Sequence, residues 1–139
     1  MGMDEHQVRL QILSGFYKSA KNQTEAPLTM KHEALKDISY TEYNFGCYYL
    51  IENGLLHGDS RTVTHGIVIA SPSRISGTGI KIVERLIEQS VEVVNTNRIG
   101  VINQSLSFVE KLTEIGIIWS KNTEFLQQVW ELFSILIKG

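Results

Sequence analysis

The side chains able to do catalysis are few and scattered in this sequence. Histidines stand at positions 6, 32, 57 and 65, and Cys47 is the single cysteine. A structural zinc site takes four ligands, usually with close pairs among them, and none of these residues makes such a pair. His57 and His65 could face each other across a hairpin, but two imidazoles fall short of a ligand set. Cys47 falls on the inward stripe of a helix and reads as a small apolar filler rather than a nucleophile. Gly77 and Gly79 precede a helix, where backbone amides attract anions. The third glycine of a dinucleotide fingerprint is missing, as is the Gly-Lys-Ser/Thr of a phosphate loop, so the pair reads as a helix entry. No Ser, His and Asp arrangement can be identified, and Glu84 and Glu88 read as the solvated face of a helix. The expectation is a chain that is not an enzyme and takes no cofactor or metal.

Residues suited to binding are better grouped. Thr41, Asn44 and Tyr48 share the outward side of one helix and could hydrogen-bond base edges or phosphates. Lys31, His32 and Lys36 before that helix, Arg61 in a following hairpin and Arg74 beyond it could contact phosphates. Phe45, Tyr48 and Tyr49 make an aromatic strip on the same helix, and such residues are the usual anchors of protein interfaces. Charge weighs against nucleic acid: the chain carries a formal −2, with 9 Lys plus Arg against 10 Asp plus Glu up to residue 90 and 4 against 5 after it. Glu42 and Glu52 point the same way as the candidate readers, and no Lys or Arg lies between Asp37 and Asp59. Counterion release from phosphates supplies most nonspecific affinity, and a reading helix without cations gains little of it.

The helix that carries these residues has both ends written into it. Ser39 and Glu42 have the spacing of a capping box, and Gly54 can take the left-handed conformation that closes the other end. At 100° per residue Tyr40, Tyr43, Cys47, Leu50 and Ile51 form its core stripe. Before it, Val8, Ile12, Leu13, Phe16 and Tyr17 predict a helix over His6 to Lys21, with Asp4 and Glu5 suited to its positive end. A short helix is expected from Thr29 or Met30 to Lys36, close enough to the Ser39 cap to make a helix-turn-helix. After Gly54 the β-branched runs Thr62-Val63-Thr64 and Ile67-Val68-Ile69-Ala70 predict a hairpin turning near Thr64 to Gly66. Ser71 to Arg74 reads as a loop, and Ser76 as the cap of a helix whose stripe is Ile80, Ile82, Val83, Leu86, Ile87, Val91 and Val94.

Three helices, a hairpin and a fourth helix are the order of a winged helix. Leu50-Ile51-Glu52-Asn53-Gly54-Leu55-Leu56 resembles the L-x-x-x-G-L-[IL] ending of the third helix in small prokaryotic winged-helix proteins. Arg74-Ile75-Ser76-Gly77-Thr78-Gly79-Ile80 is similar to the I-T-x-x-G entry to their fourth helix. The resemblance covers about residues 5–92 and extends to the YjcQ-like proteins. It implies a winged helix-turn-helix whose third helix enters the major groove of double-stranded DNA and whose hairpin reaches phosphate or minor groove. The same fold also serves as a dimer interface and a protein-docking module.

The expected organisation is α+β, mostly α: a winged-helix domain over residues 4–94 and two further helices over 95–139. Val101, Ile102, Leu106, Phe108, Val109, Leu112, Ile115 and Ile118 predict a fifth helix ending near Gly116 or Trp119, and Asn122 or Thr123 caps a sixth running to Lys138. Phe125, Val129, Trp130, Phe133 and Leu136 are among nine apolar residues that leave the sixth helix little polar surface. Burying each such side chain contributes about 1.5–3 kcal/mol, so the helix calls for a partner surface. Either it packs on Phe45 and Tyr49, or it joins two copies as a homodimer. With 42% hydrophobic residues the chain can form its own core. A lone cysteine and no signal peptide or membrane-length apolar run make the cytoplasm the expected location. The functional expectation is a DNA-binding transcriptional regulator, with the alternative of a non-enzymatic protein-interaction module whose third helix is covered by its C-terminal helices; double-stranded DNA and an unidentified protein are the partners expected besides a second copy.

Overall fold

A computed structural model describes residues 4–28, 35 and 37–139, and among them stand five α-helices and one antiparallel hairpin. The chain divides into two compact units, Met1–Ile80 and Lys81–Gly139. The expected boundary at 94/95 falls within the second of them.

The first unit begins with α1 (Glu5–Asn22), whose start is tied by the Asp4 carboxylate accepting from the His6 amide at 2.8 Å. The predicted stripe Val8, Ile12, Leu13, Phe16 and Tyr17 is buried, and Leu10 is buried with it. Leu10 widens the apolar arc because α1 packs on two elements, α2 (Tyr40–Glu52) and β2 (Val68–Ile75). The short helix expected over residues 29–36, and with it the helix-turn-helix, lies outside the described residues.

Both ends of α2 follow the local rules. The Ser39 hydroxyl accepts from the Glu42 amide at 3.2 Å and the Glu42 carboxylate accepts from the Ser39 amide at 3.1 Å, a complete capping box. At the other end Gly54 has φ +75°, with Leu55 N–H donating to Leu50 C=O and Gly54 N–H to Ile51 C=O. That is a Schellman closure. Tyr43, Cys47 and Leu50 are buried as expected, but Tyr40 is 67% exposed. Side chains on a helix tilt toward its N-terminus, so a first-turn residue extends past the end of the packed surface. Gly46 faces α1: a Cβ there would lie 2.6 Å from Ile12 Cδ1, so the glycine permits the close approach of the two helices.

The hairpin pairs β1 (Leu56–Thr62) with β2, and its turn lies at Thr64–Gly66 as expected, with His65 at φ +66° and Gly66 at φ +76°. Ser71 to Arg74 is strand rather than the expected loop. The register runs from Thr62 opposite Val68 to Gly58 opposite Pro72, then shifts so that His57 meets Arg74. Ser73 is the extra residue of a bulge, which is where a strand accommodates a proline. Gly58 has φ +153° and a Cβ on it would sit 2.3 Å from Ser71 O, so this crossing requires glycine.

Ser76 caps α3 (Gly77–Thr96), its Oγ accepting from Gly79 N–H at 2.9 Å while its hydroxyl donates to Gly54 O at 2.7 Å. A Cβ on Gly79 would lie 2.3 Å from the Leu55 carbonyl oxygen. Gly79 thus serves the packing of the α3 entry onto the chain leaving α2, whereas a Cβ on Gly77 would meet nothing within 4 Å.

In the second unit Ile82, Val83, Leu86, Ile87, Val91 and Val94 of α3 are buried. The next helix, α4, spans Phe108–Lys121 and does not begin at Val101. A second capping box sets its start, with Ser107 Oγ accepting from Glu110 N–H and the Glu110 carboxylate accepting from Ser107 N–H. Val101 is 92% exposed, whereas Ile102 is buried and held by the Asn95 amide through two hydrogen bonds of 2.9 and 3.0 Å. Asn122 caps α5 (Thr123–Lys138) by accepting from Phe125 N–H, and α4 packs against α5.

Candidate interaction surface

Part of the outward side of α2 is held by its neighbours, and Thr41 and Phe45 are left exposed. Asn44 lies beside β2: its Nδ2 donates to Val68 O at 2.7 Å and its Oδ1 accepts from Ala70 N–H at 3.0 Å. The side-chain amide thereby stands in for a neighbouring strand along the edge of β2. Glu52, the last residue of α2, accepts from the Ser60 hydroxyl at 2.6 Å and ties the helix to β1. Tyr49 is covered by Arg9, whose guanidinium carbon is 3.9 Å from the ring centroid, and Arg9 also pairs with Glu5 one turn earlier. A cation over an aromatic face at this distance is attracted by the ring quadrupole.

Between α1 and α2 lies a cleft of about 220 Å³, lined by Glu5, Val8 and Arg9 from one helix and Thr41, Glu42, Phe45 and Gly46 from the other. Gly46 makes the floor possible by bringing the helices together. Phe45 stands at the cleft with 54% of its surface exposed. Its walls are apolar and its rim carries two carboxylates and one guanidinium.

The predicted binding residues separate on this framework. Thr41 is exposed at the cleft, Tyr48 is half-buried on α2, and Asn44 is bonded to β2. Arg61 and Arg74 are exposed, and the hairpin register puts both on one face with His57 and Asp59. Lys31 and Lys36 lie outside the described residues. Among the candidate interface residues Phe45 is exposed and Tyr49 half-buried, while Phe125, Val129 and Phe133 are buried within the chain. Trp130 and Leu136 are half-buried, with the Trp130 ring 5.3 Å from that of Phe133, and Ile135 between them is exposed.

Cys47 is buried on the inward side of α2. Burial pushes the Cys47 thiol up to about 12, and the Tyr43 hydroxyl beside it is pushed above its ordinary range by the same loss of water. Tyr43 donates to Pro27 O at 2.8 Å. No group of three His, Cys, Asp or Glu side chains able to hold a metal exists among the described residues. No described helix is long and apolar enough to cross a membrane.

Sequence reasoning missed Glu5, Arg9 and Gly46 as parts of the cleft. One signal was available in Gly46, because a mid-helix glycine costs about 1 kcal/mol against alanine and is kept where another backbone or side chain comes close. No family model, curated protein or solved structure matches this chain.

Proposed function

We propose that this chain is a non-enzymatic protein-interaction module, in which a winged-helix arrangement presents the Phe45 cleft to a protein partner. The observation that carries this reading is the commitment of Asn44. The α2 residue best suited to bidentate contact with adenine spends its carbonyl and one N–H on the backbone of β2. Glu42 and Glu52 repel phosphate from the same side, and Arg9 faces Glu5 and Tyr49. An exposed phenylalanine beside a cleft rimmed by Arg9, Glu5 and Glu42 has the make-up of an interface anchor. The order α2, hairpin, α3 supports the winged-helix reading of the first unit. Exposed Ile135 beside half-buried Trp130 and Leu136 supports a docking or homodimerising role for residues 95–139, and the lone buried thiol suits a cytoplasmic setting.

A DNA-binding transcriptional regulator is the second reading, favoured by Arg61 and Arg74 on one face of the hairpin. Two experiments on the full chain separate them. Peptides selected from a random library should bind the wild type and lose binding to Phe45→Ala. Binding of a mixed duplex DNA pool at about 50 mM salt that falls steeply by about 200 mM, and is abolished by Arg61→Ala with Arg74→Ala, would replace the first reading with the second.

A further inference from the structure

The two edges of the hairpin differ. In an antiparallel pair, residues alternate between those that bond across the pair and those whose N–H and C=O point away from it. Asn44 bonds Val68 O and Ala70 N–H, so Val68 and Ala70 point outward on β2. The β2 edge is therefore blocked, by Asn44 at these residues and by Pro72, which has no N–H to offer. Thr62 and Ser60 lie opposite Val68 and Ala70, and Gly58 opposite Pro72. Their backbone groups must then point outward along β1. No backbone hydrogen bond reaches them from outside the hairpin among the described residues. Gly58, Asp59, Arg61 and Thr62 are exposed and Ser60 is half-buried. This is an open strand edge with three outward-pointing residues, Gly58, Ser60 and Thr62.

We propose that the occupant of this edge is the same edge of a second copy, paired antiparallel about a two-fold axis at Ser60. The chain's own charges select that register. Pairing the outward residues with one another allows an axis at Asp59, Ser60 or Arg61. An axis at Asp59 sets aspartate against aspartate, and one at Arg61 sets arginine against arginine; like charges directly opposite are destabilising. With the axis at Ser60, Gly58 of each copy meets Thr62 of the other. Asp59 of each copy then faces Arg61 of the other, at the closer, non-hydrogen-bonded positions of the ladder. Asp59 and Arg61 have no ion-pair partner among the described residues, so both are available. Isolated charges on an edge normally guard it against pairing. Opposite charges two residues apart about a central serine make it self-complementary instead, as a two-fold interface requires. The two hairpins join into one four-stranded sheet. This surface is separate from the Phe45 cleft, so the two proposals stand or fall independently.

The test is the solution mass of the full chain by sedimentation equilibrium, with circular dichroism to confirm that each variant is folded. The wild type should be dimeric, and Asp59→Arg should weaken dimerisation roughly tenfold by turning two attractive pairs into repulsive ones. Adding Arg61→Asp to Asp59→Arg should restore it, because the double variant exchanges the charges without changing their sum. Oxidised Ser60→Cys should run as a covalent dimer, since residues on the axis face each other. A monomeric wild type at about 100 μM would overturn the proposal, as would a dimer that Asp59→Arg leaves unchanged.

Discussion

Asn44→Ala tests directly whether α2 reads a ligand with its amide or uses it to hold the hairpin. The substitution removes a donor to Val68 O and an acceptor for Ala70 N–H, bonds of 2.7 and 3.0 Å in a half-buried setting. Each such bond contributes about 0.5–1.5 kcal/mol net, and water can replace part of what is lost here, so the expected local cost is about 1–2 kcal/mol. Hydrogen exchange is the right assay, because it reads individual amides and does not require the two units to unfold together. At 1.4 kcal/mol per tenfold, Ala70 N–H should exchange roughly 5- to 30-fold faster in the variant. Amides buried in α1, such as that of Ile12, should hardly change. Unaltered exchange at Ala70, accompanied by loss of DNA binding, would refute the reasoning and make Asn44 a reader of bases.

Other perturbations follow from the same geometry. Gly79→Ala places a methyl group 2.3 Å from the Leu55 carbonyl oxygen, which is backbone and cannot swing aside, so it should cost about 1–3 kcal/mol and lower the melting temperature of the chain. Cys47, buried and with its thiol pushed up to about 12, should resist alkylation at pH 8 in the folded protein and react once denaturant exposes it. The Ser107 hydrogen bonds hold the Glu110 carboxyl below its ordinary range. A depressed folded-state value means the box contributes fully above the unfolded carboxylate range and loses that contribution as pH falls through the folded value. Helix content followed by circular dichroism on acidification should therefore show an acid-sensitive component in the wild type that Glu110→Gln lacks.

What this sequence determines alone are the events that begin and end within a few residues. Ser39 with Glu42, Gly54, Ser76 and Asn122 mark helix ends because each cap bonds the backbone two to four positions away, and the composition of those few positions decides it. The apolar stripes of α1, α2 and α3 are legible for a similar reason, since spacing alone puts Val8, Ile12 and Phe16, or Cys47 and Leu50, on one face. Ser107 with Glu110 obeys the same rule but was masked by apolar residues at Val101, Ile102 and Leu106 that happen to continue the period of α4 backward.

Only the tertiary structure decided which neighbour each outward residue meets. Asn44 is a free polar side chain in sequence and a substitute strand in the fold, because its partners lie 24 and 26 residues away. Gly46 and Gly79 are explained by Ile12 and Leu55, which no local pattern connects to them. The bulge at Ser73 depends on Gly58 crossing Ser71, so four residues that read as a loop pair as a strand. Tyr40 keeps the spacing of the core stripe yet stands in solvent, since periodicity specifies direction around a helix and only packing specifies where along it the cover ends.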